Sequence, residues 1–400
     1  MKKFTGFAAA LLCAAMSFSL LSCENPASSS SDPEPASQNG NSTPAATTPA
    51  PTPAPATYTV TYADGIDELE ISVPSDTAQH SSGSTVTVNF TVGNRLGYTF
   101  AGWSDGTNTY TSNGTSSFTI SSNVTLTAQW QASWPNSYIG TKAPSETKEV
   151  GDIVFNDNSA MSYSDFSTRL VTADKNSKKT SAIALIFYKG TELNSGSDTT
   201  TSRTLGVGLK HSETAVKWCP ATASTYNVEI SDIYCKPSGN QGAYTFNDAT
   251  CNDRNGKDNF DKVKTAIGNN NEDYDTYEAL YWACSDYINH ESRLQDNTVT
   301  STLKTSWFLP SIAELFWIYK NGKGANKIFD IDAASETLGG NRLDAASLFW
   351  SSTQVEPVSN GSATDITRAY VFGFSNGGWD CLYKESSATE LKVCAIREFN

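Results

Sequence analysis

The chain has 400 residues, 38% of them hydrophobic, with 42 acidic against 28 basic side chains and a formal net charge of −14. That balance excludes nucleic acid and other polyanions as partners unless a local basic patch forms, and the best patch, Lys320, Lys323 and Lys327, reads as solvated surface. Three isolated histidines (His80, His211 and His290) and no Cys-x-x-Cys spacing argue against zinc, and nothing in the composition calls for a cofactor.

In chain order the first signal is a leader. Lys2 and Lys3 precede an apolar run from Phe4 to Leu21 that ends at Leu20-Leu21-Ser22-Cys23. A basic start, a short apolar stretch and a small-residue exit make residues 1–22 a secretory signal, too short for a stop-transfer helix. The final tetrapeptide resembles the lipobox of bacterial lipoproteins. That resemblance implies lipid on Cys23 Sγ, cleavage before it, and a chain held in the cell envelope by its lipid, at the outer membrane and exposed at the surface. Residues 23–57 follow as a Pro/Ser/Ala/Thr-rich stalk with no aliphatic residue larger than Ala, so the segment cannot offset its ordering entropy and is expected to be disordered. Its prolines bias the distal half to an extended spacer of about 3.1 Å per residue.

From 58 to 131 the period is two. Tyr58, Val60 and Tyr62, then Val86, Val88, Phe90 and Val92, then Val124, Leu126, Ala128 and Trp130 alternate with polar residues, which predicts half-buried antiparallel strands. Gly97-Tyr98-Thr99-Phe100-Ala101-Gly102-Trp103 adds aromatic anchors between glycines. This stretch, with Leu126 to Trp130, resembles the internalin B-repeat (Listeria–Bacteroides repeat), which implies a small β-grasp-like module of surface proteins. Trp103 is read as core rather than as a sugar platform beside Asp105, and the module as a spacer.

The second module spans 146–400 and is expected to be α+β, with helices enclosed by strands and no βαβ rhythm. Ala182–Tyr188 is a continuous apolar run of buried-strand type. Phe260, Val263 and Ile267 share a helical face before Gly268. Asp275 to Glu278 fits an N-terminal cap for a helix whose stripe is Tyr277, Leu280, Tyr281, Cys284 and Ile288, and Ser311 to Glu314 is a capping box for the next.

Four motifs follow in order: Trp307-Phe308-Leu309-Pro310-Ser311, Phe349-Trp350-Ser351-Ser352-Thr353, Ala369 to Gly377 with its Asn-Gly end, and Val393-Cys394-Ala395-Ile396-Arg397. Together they resemble the C-terminal domain of Legionella collagen-like adhesins, a family of uncertain biochemistry related to the C-type lectin-like fold. Phe308, Cys394 and Ala395 depart from the family pattern, so its arginine contacts and disulfide pattern do not carry over directly. No Gly-x-Ser-x-Gly elbow is read in the chain and only three histidines could serve as partners, so Ser351, Ser352 and Thr353 read as side-chain hydrogen-bonding residues, not nucleophiles. Glu356-Pro357-Val358 and Gly378-Trp379-Asp380 are incomplete against the calcium loops of such lectins, and Asn252 to Gly256 fails as an EF-hand, so no metal is expected.

Six cysteines of the exported part, Cys219, Cys235, Cys251, Cys284, Cys381 and Cys394, are disulfide candidates with fifteen connectivities open, and a buried free thiol is the secondary reading for Cys284. No catalytic constellation is visible, so the chain is expected not to be an enzyme. The implied function is non-enzymatic recognition of a host or matrix protein or glycan by the loops between Trp350 and Lys384, with Trp379, Tyr383, Glu356, Asn360 and Asp365 as candidate contacts and Gln354 beside them. Trp379 is open to a core role. A structural envelope lipoprotein facing the periplasm is the alternative.

Overall fold

The computed structural model describes residues 54–400 apart from 136, 197, 236–252, 269–272, 344–345, 356–365 and 400. The leader, Cys23 and the stalk up to residue 53 lie outside the described residues, as do Cys251, Glu356, Asn360 and Asp365. From Pro55 onward the chain forms one unit, with an antiparallel β-rich module ahead of a larger α+β body.

The first module consists of β1 (Thr57–Tyr58), β2 (Val60–Ala63), β3 (His80–Ser81), β4 (Thr85–Thr87), β5 (Tyr98–Ser104), β6 (Thr109–Tyr110), β7 (Ser117–Thr119) and β8 (Val124–Ala132). A sheet of order β2-β8-β5-β6 is flanked by the pairs β1-β3 and β4-β7. The alternation places Val60, Tyr62, Val86, Leu126 and Ala128 in a core around fully buried Trp103. Trp103 Nε1 donates to the Asn89 carbonyl at 2.9 Å, and Asn89 N–H donates to Tyr62 Oη at 2.9 Å. Those bonds explain a departure from the expected strand over 85–92: it stops at Thr87, because the Asn89 backbone is committed to two aromatic side chains rather than to a ladder. Asp105, once a possible sugar ligand, instead accepts from the N–H groups of Thr107 and Asn108 and from Tyr110 Oη, closing a turn.

The body runs β9 (Asp152–Phe155), β10 (Ala160–Ser162), α1 (Tyr163–Arg169), α2 (Thr172–Lys179), β11 (Ala182–Gly190), β12 (Arg203–His211), β13 (Tyr234–Cys235), α3 (Gly256–Gly268), α4 (Glu278–Tyr281), α5 (Tyr287–His290), α6 (Ser292–Gln295), α7 (Ser301–Lys304), β14 (Trp307–Phe308), α8 (Ile312–Gly322), α9 (Ile331–Thr337), β15 (Leu348–Val355), β16 (Arg368–Gly373), β17 (Gly378–Tyr383), β18 (Leu391–Lys392) and β19 (Cys394–Glu398). One sheet has the order β10-β9-β11-β12-β19-β14; the other has β13-β15-β16-β17, with β18 beside β15.

Strands at the centre of both sheets are covered on both faces. On β11, Leu185 and Phe187 enter one core while Ala184 and Ile186 enter another; on β16, Tyr370 and Phe372 oppose Ala369 and Val371 in the same way. Double coverage is why Ala182–Tyr188 shows no alternation. On β12, Leu205, Val207 and Leu209 face the first core, and Gly206 and Gly208 face the second, where the rings of Phe399 and Tyr287 occupy the space a Cβ would need.

The helix expected from Asp275 onward takes a different form. Tyr274–Thr276 is a 3-10 turn, α4 starts with no side-chain cap at Tyr277, and a π-turn at Trp282–Asp286 separates α4 from α5. The wider turn rotates the buried face. Tyr277 and Leu280 are inward as expected, but Trp282, Ala283 and Tyr287 take the places foreseen for Tyr281, Cys284 and Ile288, which are half-buried.

Candidate ligand surface

The four C-terminal motifs meet one another in the core. Trp307 and Phe308 pair with Arg397 and Ile396, Ser352 N–H donates to the Pro310 carbonyl at 2.8 Å, and Phe349 lies opposite Phe372. Trp307, Trp350 and Phe349 are buried. Ser351, Ser352 and Thr353 are also buried: Ser351 Oγ donates to the Tyr370 carbonyl, Ser352 Oγ accepts from Asn259 Nδ2, and Thr353 Oγ1 accepts from Ile312 N–H. They bond across elements in a bulged strand, as structural hydrogen-bonding groups. The motif set therefore marks where the fold is knit together, and a ligand surface must be sought at its margin.

β17 reaches that margin. Trp379, Cys381 and Tyr383 share one face of the strand, opposite Phe372, Tyr370 and Arg368. Trp379 packs on the first core, edge-on to Tyr370 at 5.6 Å, with its Nε1 buried. The core ends before Tyr383, which is 45% exposed and lies under the Arg368 guanidinium at 4.1 Å. Trp379 therefore belongs with the core and Tyr383 with the surface. Gln354, expected on an exposed loop, is buried: its Oε1 accepts from Ile230 N–H and its Nε2 donates to the Val228 carbonyl.

Sequence reading also missed the segment at Thr225–Val228, which is tied to the chain just after β17 through Lys384 and Glu385. Val228 is 44% exposed. Tyr226 Oη donates to Glu385, and burial together with that carboxylate pushes the Tyr226 phenol up to about 12. Beneath them Lys384 is fully buried, with Nζ donating to the Tyr226 carbonyl at 3.0 Å and standing 5.0 Å from the Trp218 ring. Long-range pairing of this kind leaves no local pattern in the sequence.

A cleft of about 650 Å³ lies apart from this surface, lined by Ser195, Asp232, Tyr234, Asp253, Asp258 and Lys262. Asp253 is buried and accepts from Asn259 Nδ2 at 2.7 Å. Desolvation pushes its carboxyl up to about 7, against the pull of Thr353 and Asn259. An unfolded Asp titrates near 3.9, so between about pH 4 and 7 the folded chain holds a proton that the unfolded chain releases. Stability from this group is full below that window and falls as pH rises through it, by ~4 kcal/mol at most. Urea midpoints of wild type and Asp253→Asn, compared from pH 4 to 8, should converge towards low pH and diverge in favour of the variant towards neutral pH. Parallel profiles would contradict the assignment.

Among the described residues no serine, threonine or cysteine hydrogen-bonds to a histidine side chain. His80 and His290 pair with Asp76 and Asp286, and His211 meets the Ser212 carbonyl. Ser375 lies in a Gly-x-Ser-x-Gly spacing, Gly373 to Gly377, that sequence reading overlooked; it forms the turn between β16 and β17, not a strand-to-helix elbow. Among the described residues no three His, Cys, Asp or Glu side chains converge on a metal position. Cys284 and Cys394 are free thiols, pushed up to about 12 by burial, which departs from the disulfide expectation for these two and agrees with the free-thiol reading of Cys284. The reason is placement: Cys394 is a core residue of β19, and Cys284 sits in the π-turn. Cys219 is buried in the second core and Cys381 packs on the first.

The first module can be placed among known families. Residues 58–133 match the divergent InlB B-repeat domain. The buried Trp103 and the β5–β8 pairing are thus the centre of a B-repeat, and the last strand of that repeat runs to Ala132. No curated protein matches the chain. A fimbrial protein from Bacteroides ovatus is similar at a TM-score of 0.40 and 13% identity, over 85% of this chain and 68% of that one, too slight a likeness to carry an argument. Among the described residues no helix is long and apolar enough to cross a membrane.

Proposed function

We propose that the chain is a surface lipoprotein: a lipid anchor at Cys23, a Pro-rich stalk, the B-repeat, and a C-type lectin-like domain over 146–400 that binds a host or matrix protein or glycan without catalysis. The leader and lipobox support the anchor, the B-repeat supports a place at the cell surface, and the ordered C-terminal motifs support the lectin-like fold. The observation that carries the binding reading is the exposed pairing of Tyr383 with Arg368 at the end of an otherwise filled sheet. Aromatic rings beside guanidinium groups give large contact area at small entropy cost, the usual composition of binding hot spots.

Binding of the purified chain to matrix glycoproteins and to a glycan array tests this. Tyr383→Ala should lower affinity about tenfold or more while leaving thermal unfolding unchanged, as expected for a hot spot. Normal binding by a folded Tyr383→Ala protein would remove the surface from consideration. Protease shaving of intact cells separates surface display from the alternative, a structural lipoprotein facing the periplasm, and Cys23→Ala should abolish labelling by a clickable palmitate.

A further inference from the structure

The B-repeat meets the body at the end of α1, along α2 and through the chain that leaves β8. α2 begins at Thr172 behind Val171, whose side chain cannot cap it. A carboxylate from the repeat does so instead: Glu68 Oε2 accepts from Thr172 N–H at 2.7 Å and from Thr172 Oγ1 at 2.6 Å. Two residues on, Asp174 accepts from Tyr98 Oη at 3.0 Å, and just ahead of the helix Arg169 Nη2 donates to Asn94 Oδ1 at 3.0 Å. At the far end of the helix, buried Lys178 stands 3.7 Å from the centroid of the Trp134 ring and donates to the Ile139 carbonyl. Trp134 lies flush on Gly97, where a Cβ would overlap its indole, and both Trp134 and Leu96 pack against the core of the body.

We propose that these contacts make the B-repeat and the α+β body one rigid lever, with α2 as the joint, instead of two beads on a flexible string. An eight-residue helix is marginal by itself, so α2 depends on the cap and the ring that the repeat side supplies. In return, α2 receives contacts from three separate points, Glu68, Tyr98 and Trp134, with Asn94 holding Arg169 just ahead of it, and loosening one weakens the others. The direction in which the body faces is therefore set relative to the start of the repeat. This revises the expectation that the repeat is a simple spacer, and it holds whether or not the Tyr383 surface binds a ligand.

Spin labels on unnatural residues at the exposed positions Thr107 and Ser387 of the full chain, read by double electron–electron resonance, test the joint. The wild-type background should give one narrow distance distribution. Glu68→Gln should broaden it, and Glu68→Gln combined with Trp134→Ala should broaden it further and split the single calorimetric transition in two. A broad distribution in the wild-type background overturns the proposal. So does a narrow one that neither variant changes. Because Glu68→Gln removes charge but no packing, it keeps the test open even if Trp134→Ala unfolds the body.

Discussion

Glu314→Ala should destabilise the body by about 3–5 kcal/mol, the cost of breaking a buried ion pair from one side. Glu314 has no exposed surface, and its carboxylate serves three elements at once. Oε2 accepts from Ser311 N–H at 2.8 Å, completing the capping box of α8, and from Gly256 N–H at 2.9 Å at the start of α3. Oε1 faces Arg203 Nη1 of β12 at 3.3 Å. Burial raises the Glu314 carboxyl above its ordinary value, and Arg203 and the backbone donors pull it back. Removing the carboxylate leaves the Ser311 and Gly256 N–H groups without their acceptor. Among the described residues it also leaves the buried Arg203 guanidinium only the more distant Glu398, at 3.7 Å, as counter-charge. Glu314→Gln keeps an acceptor for the caps and should fall between wild type and Glu314→Ala. Equilibrium urea unfolding measures both, and a loss under 1 kcal/mol for Glu314→Ala would show that the network is not stabilising.

Gly208→Ala should cost about 1–3 kcal/mol or more, the range for overpacking a filled core. A Cβ at Gly208 would overlap the Tyr287 hydroxyl, and neither β12 nor α5 can retreat: β12 is held between β11 and β19, and Tyr287 is held between Trp282 and Trp307, with centroids at 5.7 and 4.6 Å. The Cβ would overlap ring carbon Cζ as well as the hydroxyl oxygen, so Tyr287→Phe should recover only part of the loss in the double variant. A double variant as unstable as the sum of the two single ones would place the strain elsewhere.

Features governed by neighbours in the chain were legible in the sequence. The period-two runs around Trp103, the buried strand at Ala182–Tyr188 and the capping box at Ser311–Glu314 follow from side-chain alternation, apolar continuity and reach within one turn. The B-repeat motif was legible for the same reason. The π-turn at Trp282–Asp286 was not, because the packing of Trp282, Ala283 and Tyr287 inward decides it, and a helical stripe cannot register one inserted residue.

What only the tertiary structure decided is which residues share an address. Glu314 was visible as the cap of its own helix, but its bond to Gly256 joins residues 58 positions apart. Tyr383 and Trp379 look alike in sequence, and the place where the core ends separates them. Gly206 and Gly208 carry no local signal, since the rings that require them come from Phe399 and Tyr287. By itself, the sequence determined the strands, the main helix start and the buried character of the motifs; packing between distant segments determined the caps, the exposed edge and the joint at α2, because those energies belong to pairs that the chain brings together only on folding.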